Sequence, residues 1–187
     1  MSSRRLDPHA PLTDQLEALL APSLNVLWER SPALSEVNAY KSLHRLRLAA
    51  KAARYGSDRF GDVLPDVARY GIKATRRLQN RLGAVHDADL QCERLRGVIT
   101  KRAKRSLDAL GKRAGPGAAD PALADAARDV ARDGRQVPLA GLAEVLADLV
   151  EERADHARRA AVVFEKLERK GGRRAILKAL RAVAGSR

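Results

Sequence analysis

Aromatic residues are scarce in this chain: one Trp, three Tyr and two Phe, 3% of 187 residues. So few rings disfavour a sheet-rich fold and a surface that stacks unpaired nucleic-acid bases. Cysteine is scarcer still. Cys92 has no second thiol in the chain, so neither an intramolecular disulfide nor a cysteine-based metal site is available. A reducing cytoplasm is the expected setting. Long apolar runs are missing as well: Arg4 and Arg5 are followed by LDPHAPLTDQLEALL, which lacks the uninterrupted apolar stretch of an export signal, and no segment is expected to span a bilayer.

Acid is the remaining shortage, and it is regional. Residues 41–115 carry 19 basic and 7 acidic side chains, and residues 169–187 carry 7 basic and none acidic. Residues 1–40 and 116–168 have slight acidic excesses, so the net charge of +13 is concentrated in two stretches. Concentration of that kind favours a polyanion-binding surface over a general solubility adaptation.

What the chain has in abundance is helix formers, with apolar residues recurring at helical spacing. The length suits one helical domain over 1–187. The pattern predicts a first helix near 11–30 with a kink at Pro22, and a second near 35–62 capped by Ser35 and closed by Pro65. A third is predicted from about Asp66 to Leu82, ending at Gly83, and a fourth from a cap at Asp87 to about Leu110. GKRAGPGAADP, 111–121, reads as a loop or linker after the basic helices of 35–111. Weak helix over 120–134, a long helix from near Pro138 to Arg169, and a short basic helix after Gly171 and Gly172 complete the remaining bundle, 122–187. Two helical hairpins packed as an antiparallel bundle account for this order.

The sharpest feature is HRLRLAAKAARY, residues 44–55. At 100° per residue with His44 at zero, Arg47, Lys51 and Arg54 fall at about −60°, −20° and −80°, and Tyr55 at about +20°. Leu46, Ala50, Ala53, Ser57 and Leu64 take the opposite side and supply the core. The stripe is roughly 15 Å long, enough to meet several consecutive anionic groups. The third helix repeats the device with Arg69, Lys73 and Arg76, opposite a core face of Val67, Ala74, Leu78 and Val85. If these helices run antiparallel, both stripes border one groove. Arginine presents a planar fork to phosphate oxygens, lysine a mobile point charge, and His44 a hydrogen bond whose charge depends on pH and bound anion. A solvated helix face is the plain alternative.

These residues carry a resemblance. HRLRLAAKAARY resembles the histidine helix in the second half of the CHAD family, the histidine-bearing α-helical domains, and LQNRLGAVHDADL, 78–90, looks like the motif that follows it. The match covers about residues 40–98 and takes in His44, Arg47, Lys51, Arg54, Tyr55, Leu78, Gln79, Leu82, Gly83 and Asp87, while Ala52 stands where a base is common. The resemblance implies an all-α antiparallel bundle of CHAD type, here a single or reduced copy of the usual two-half arrangement. It implies inorganic polyphosphate as the ligand, no cofactor, and association with polyphosphate granules, granule proteins or a triphosphate-tunnel enzyme. One histidine motif leaves a homodimer as one way to supply a second wall.

Other residues point less clearly. His9, His44, His86 and His156 lack the spacing of a metal site. Asp87 is expected to cap a helix, with His86 a bystander. Glu151, Glu152 and Asp155 read as a solvated face or as partners of Arg158 and Arg159. Trp28 and the tyrosines read as core or rim, and Lys170, Arg173, Arg174, Lys178 and Arg181 as either an extension of the anion surface or a frayed terminus. No phosphate-cradling glycine loop, nucleophile elbow or triad is recognisable. An enzyme is not expected, and the alternative to polyphosphate is the backbone of RNA or DNA.

Overall fold

The computed structural model describes residues 7–36, 38–60, 64–114 and 139–184, which are helical with short connections and, among the described residues, no strand. The elements are α1 (Leu12–Arg30), a 3-10 turn (Ser31–Ser35), α2 (Tyr40–Asp58), α3 (Asp66–Ala114), α4 (Leu139–Arg169) and α5 (Gly172–Ala184). The fold is all-α, as the composition implies.

Two compact units divide it. The first comprises Met1–His86 and Arg153–Arg187, the second Asp87–Glu152. In the first unit, Leu16, Leu20, Leu24 and Leu27 of α1 recur at helical spacing and are buried with Leu43, Leu46, Ala50 and Ala53 of α2. Ala74, Leu78, Leu82 and Val85 of α3, Ala157, Ala160 and Leu167 of α4, and Ile176 and Leu180 of α5 join the same core. Each fully buried leucine is worth roughly 1.5–3 kcal/mol, so this cluster is what fixes the helices' rotation. In the second unit, Ala88 and Cys92 are buried on the α3 segment.

The contacts set helix directions in the first unit. His44 meets His86 while Asp58 meets Arg76, so α2 and α3 run antiparallel. Arg81 meets His156 and Tyr70 meets Lys170, which makes α3 and α4 antiparallel. Asn25 with Arg173 and Glu17 with Arg181 give the same relation for α1 and α5.

Several local expectations are corrected. Gly83 does not end a helix and Asp87 does not cap one: α3 continues through both. A helical glycine costs only about 1 kcal/mol against alanine, and the apolar spacing Leu78, Leu82, Val85 carries across it. Ser35 is not the cap of α2. Its hydroxyl donates to the Pro32 carbonyl at 2.7 Å within the 3-10 turn, and α2 starts at Tyr40, after Ala39. The helix of 35–62 is thus shorter, ending at Asp58. Residues 111–114 belong to α3 and not to the loop, because Lys112, Arg113 and Ala114 are good helix formers. Residues 115–138, which hold the rest of that loop and the weak helix of 120–134, lie outside the described residues. α1 runs on through Pro22, which is exposed. On α2 the expected core face Leu46, Ala50, Ala53 and Ser57 is buried; Leu64 is buried too but lies beyond the helix, which ends at Asp58. Val67 is the exception on α3, 49% exposed, because it sits in a first turn that extends past the end of α2.

The basic tail is an ordered helix. Gly171 and Gly172, at φ of 92° and 49°, turn the chain from α4 into α5. Arg173 donates to Asn25 Oδ1 at 3.2 Å, and Lys170 Nζ lies 4.5 Å from the centroid of the Tyr70 ring. Arg181 pairs with Glu17 at 2.6 Å, and that hydrogen bond and charge hold its guanidinium pKa above the ordinary value.

Candidate anion-binding groove

The stripe of α2 lies opposite a core it helps to build, with Lys51 and Tyr55 exposed and His44, Arg47 and Arg54 half-buried. Neither Arg47 nor Lys51 is ion-paired among the described residues. Lys51 Nζ leans toward Tyr55, 5.6 Å from the ring centroid. Arg54 is more committed: its guanidinium lies 4.5 Å over the same ring and 3.7 Å from Asp58, four residues on. Arg76 of α3 reaches the same carboxylate at 3.4 Å, so Asp58 sits between two arginines from two helices. One acid for two guanidiniums leaves that end of the groove cationic.

The α3 stripe does not lie fully against the α2 stripe. Arg69, paired with Asp66 at 2.8 Å, stands seven residues before Arg76, about 10 Å farther along and past the end of α2. Lys73, exposed and without an acidic partner among the described residues, lies between them. Gln79, Gly83 and His86 of α3 fall on one face at i, i+4, i+7, and of these His86 meets His44 of α2. A Cβ placed on Gly83 would meet nothing within 4 Å, so the space beside Gly83 is open.

Four buried side-chain polar atoms of the described residues have no hydrogen-bond partner: His44 Nδ1, Arg54 Nε, Gln79 Oε1 and His86 Nδ1. His44 and Arg54 belong to α2, Gln79 and His86 to α3. A buried polar atom left unpaired costs of order 1–3 kcal/mol, a cost usually retained only where something else depends on it. His44 is sandwiched, with Tyr40 stacked on it at 6.3 Å between centroids and His86 tilted against it at 5.1 Å.

His86, read from the sequence as a bystander, is therefore brought to the α2 stripe, while Gln79 was named there only through the family resemblance. The signal that would have found His86 is its i, i+7 spacing from Gln79, hidden by treating Gly83 as a helix end. His156 of α4 accepts from Arg81 at 3.4 Å, since arginine can only donate. His9 is exposed, its backbone N–H donating to Asp7 Oδ1. Trp28 is half-buried against Phe164 and donates its indole N–H to Glu168. Asp155 pairs with Arg159 at 2.8 Å, and no cluster of three or more metal-ligating His, Cys, Asp or Glu exists among the described residues.

The CHAD domain family model matches residues 2–96, just over half of the chain. The chain belongs to the CHAD family. The matched span contains α1, α2 and α3 as far as Arg96, and so every groove residue on the CHAD helices α2 and α3. No curated protein and no solved structure matches the chain. No helix of the described residues is long and apolar enough to cross a membrane.

Proposed function

We propose that this CHAD protein binds inorganic polyphosphate along the α2–α3 groove, without turning it over. The observation that carries the reading is the run His44, Arg47, Lys51 on α2, in which the two cations have no acidic partner among the described residues and the space beside Gly83 is open. A linear polyanion replaces the missing acids. Arg47 forks onto one phosphate, Lys51 onto another a helical turn away, and Arg54 and Arg76, which share Asp58, extend the positive potential toward Lys73 and Arg69. The long-chain ligand, polyphosphate, gains by repeating one charge at short intervals, which matches a stripe better than a single pocket does.

Cytoplasmic polyphosphate granules, granule proteins, a triphosphate-tunnel enzyme and a second copy of the chain are the partners this reading suggests. Release of orthophosphate during incubation with magnesium would replace binding by turnover.

The test is a competition titration near physiological salt, with labelled long-chain polyphosphate challenged by RNA, duplex DNA and short phosphates. Polyphosphate should resist nucleic-acid competition at matched phosphate concentration. Arg47→Ala/Lys51→Ala should weaken binding at least tenfold, losing two charge-assisted contacts at about 1.4 kcal/mol per tenfold, with helicity unchanged by circular dichroism. Easy displacement by RNA or DNA would make the groove a general polyanion surface, and unchanged affinity of the double variant would move the site elsewhere.

A further inference from the structure

We propose that the seam between α3 and α4 is a second anion site, holding a further length of phosphate chain apart from the α2–α3 groove. The inference rests on the polyphosphate reading for the ligand's chemistry and uses none of that groove's residues. Two contacts within the first compact unit bracket the seam. Lys170, the residue after α4, places its Nζ 4.5 Å from the centroid of the Tyr70 ring, and Arg81 donates to His156 Nδ1 at 3.4 Å. From Tyr70 to Arg81 is roughly 16 Å of helix.

Both helices bring cations to that stretch. Arg77 stands seven residues after Tyr70 and four before Arg81, a spacing that keeps side chains on one face of α3. Lys166 stands four residues before Lys170 and shares its face by the same rule. Arg77, Lys166 and Lys170 are exposed and Arg81 half-buried, and none of them has an acidic partner among the described residues. Residues 67–86 of α3 contain no acid. The nearest acids of α4 are turned elsewhere: Glu168 accepts the Trp28 indole N–H of α1, and Glu165 is set about 100° round the helix from Lys166.

Ordinary reasons for surface charge account for only part of this. The helix dipole favours cations at the end of α4, where Lys166 and Lys170 are found. It gives no reason for Arg77 and Arg81, in the interior of α3. Like charges at i, i+4, such as Arg77 with Arg81 and Lys166 with Lys170, weaken a helix. A face kept for solubility mixes the signs, as α4 does farther back where Asp155 pairs with Arg159 at 2.8 Å. Along the seam that mixing stops, and an external anion is the partner that offsets the repulsion. Arginine forks and lysine ammoniums on two facing helices suit phosphate oxygens spaced along a chain. Tyr70 is covered by the Lys170 ammonium and is no platform for a nucleic-acid base, so a bare chain of phosphates is the fitting polyanion.

Isothermal titration calorimetry of the full chain counts the sites. The probe is a short linear polyphosphate that covers one flank of α3 and not both, near physiological salt. Wild type should take up about two equivalents per chain and Arg77→Ala/Lys166→Ala about one, with helicity unchanged by circular dichroism. Arg77→Gln/Lys166→Gln, which keeps polar side chains in place, should give the same count and stands in if the alanine variant unfolds. Arg159→Ala, whose charge Asp155 already neutralises, should keep both equivalents. Single-stranded RNA at matched phosphate concentration should not displace the second equivalent, and displacement overturns the choice of inorganic polyphosphate for the seam. A single equivalent in wild type that Arg47→Ala/Lys51→Ala removes, or two that survive in the Arg77 and Lys166 double variants, overturns the seam and leaves the α2–α3 groove standing. A single equivalent removed by the seam variants and untouched by Arg47→Ala/Lys51→Ala overturns the groove and leaves the seam. Folded wild type that takes up none overturns both.

Discussion

At the residue scale, two helical glycines of α3 have opposite surroundings, and substitution separates them. Gly83 faces open space, whereas a Cβ on Gly71 would come within 2.4 Å of Ile176 Cδ1 and 2.8 Å of Cγ1. Ile176 is buried and β-branched, so it has little freedom to swing away. Gly83→Ala should therefore stabilise the protein by about 1 kcal/mol through helix propensity, and Gly71→Ala should destabilise it by about 1–3 kcal/mol through overpacking. Urea unfolding of the two variants checks both signs. If Gly71→Ala matches Gly83→Ala, the α3–α5 contact is not as close as described. Gly83→Leu carries the argument into function: it should fold, yet weaken polyphosphate binding by filling the open space beside Gly83.

At the element scale, the turn between α4 and α5 decides whether the basic tail is a helix against the bundle or a loose end. Gly171 and Gly172 both adopt positive φ, and a Cβ on Gly172 would fall 2.2 Å from Glu168 Oε1. That carboxylate accepts the Trp28 indole N–H, so it cannot retreat without giving up a contact to α1. Gly172→Ala should cost about 1–2 kcal/mol from the left-handed backbone alone, with the clash added. Circular dichroism melts would show it as a lowered Tm. Unchanged stability would mean that α5 docks independently of this turn.

The same scale shows how far the sequence is legible. Apolar spacing located α1, α4 and α5 closely and found the buried face of α2, because that face repeats Leu46, Ala50, Ala53 and Ser57 without interruption. It failed where punctuation was taken too literally. Gly83 and Asp87 resemble a stop and a start, but helix ends are set by whether neighbouring turns have something to pack on, and Leu82 and Val85 both do. Splitting α3 there hid the shared face of Gln79, Gly83 and His86, and with it the contact of His86 with His44. The cations of α2 were visible as a stripe from periodicity alone. Their ion pairs were not, since Asp58 joins Arg54 to Arg76 across 18 residues of chain.

At the scale of the whole molecule, a net charge of +13 on 187 residues makes stability and binding respond to salt in opposite directions. In the free protein the cations of residues 41–115 and 169–187 repel one another, and few of the surface pairs that oppose this, such as Arg69–Asp66, contribute much. Added salt screens the repulsion, so the Tm of the free protein should rise as ionic strength increases from about 0.01 to 0.15 M, where the screening length falls from about 30 to 8 Å. Polyphosphate supplies the missing anions directly and should raise Tm further by mass action. Its increment should shrink with the same salt, because binding releases condensed counterions and log K falls with log salt at a slope of roughly 0.7 per phosphate neutralised, taking single-stranded nucleic acid as the guide. Thermal melts on a salt series, with and without long-chain polyphosphate, should therefore give two lines that converge. Parallel lines would mean that the ligand is held by contacts other than the charges of the stripe. A free-protein Tm that falls with salt would mean that ion pairs such as Arg181–Glu17 outweigh the repulsion.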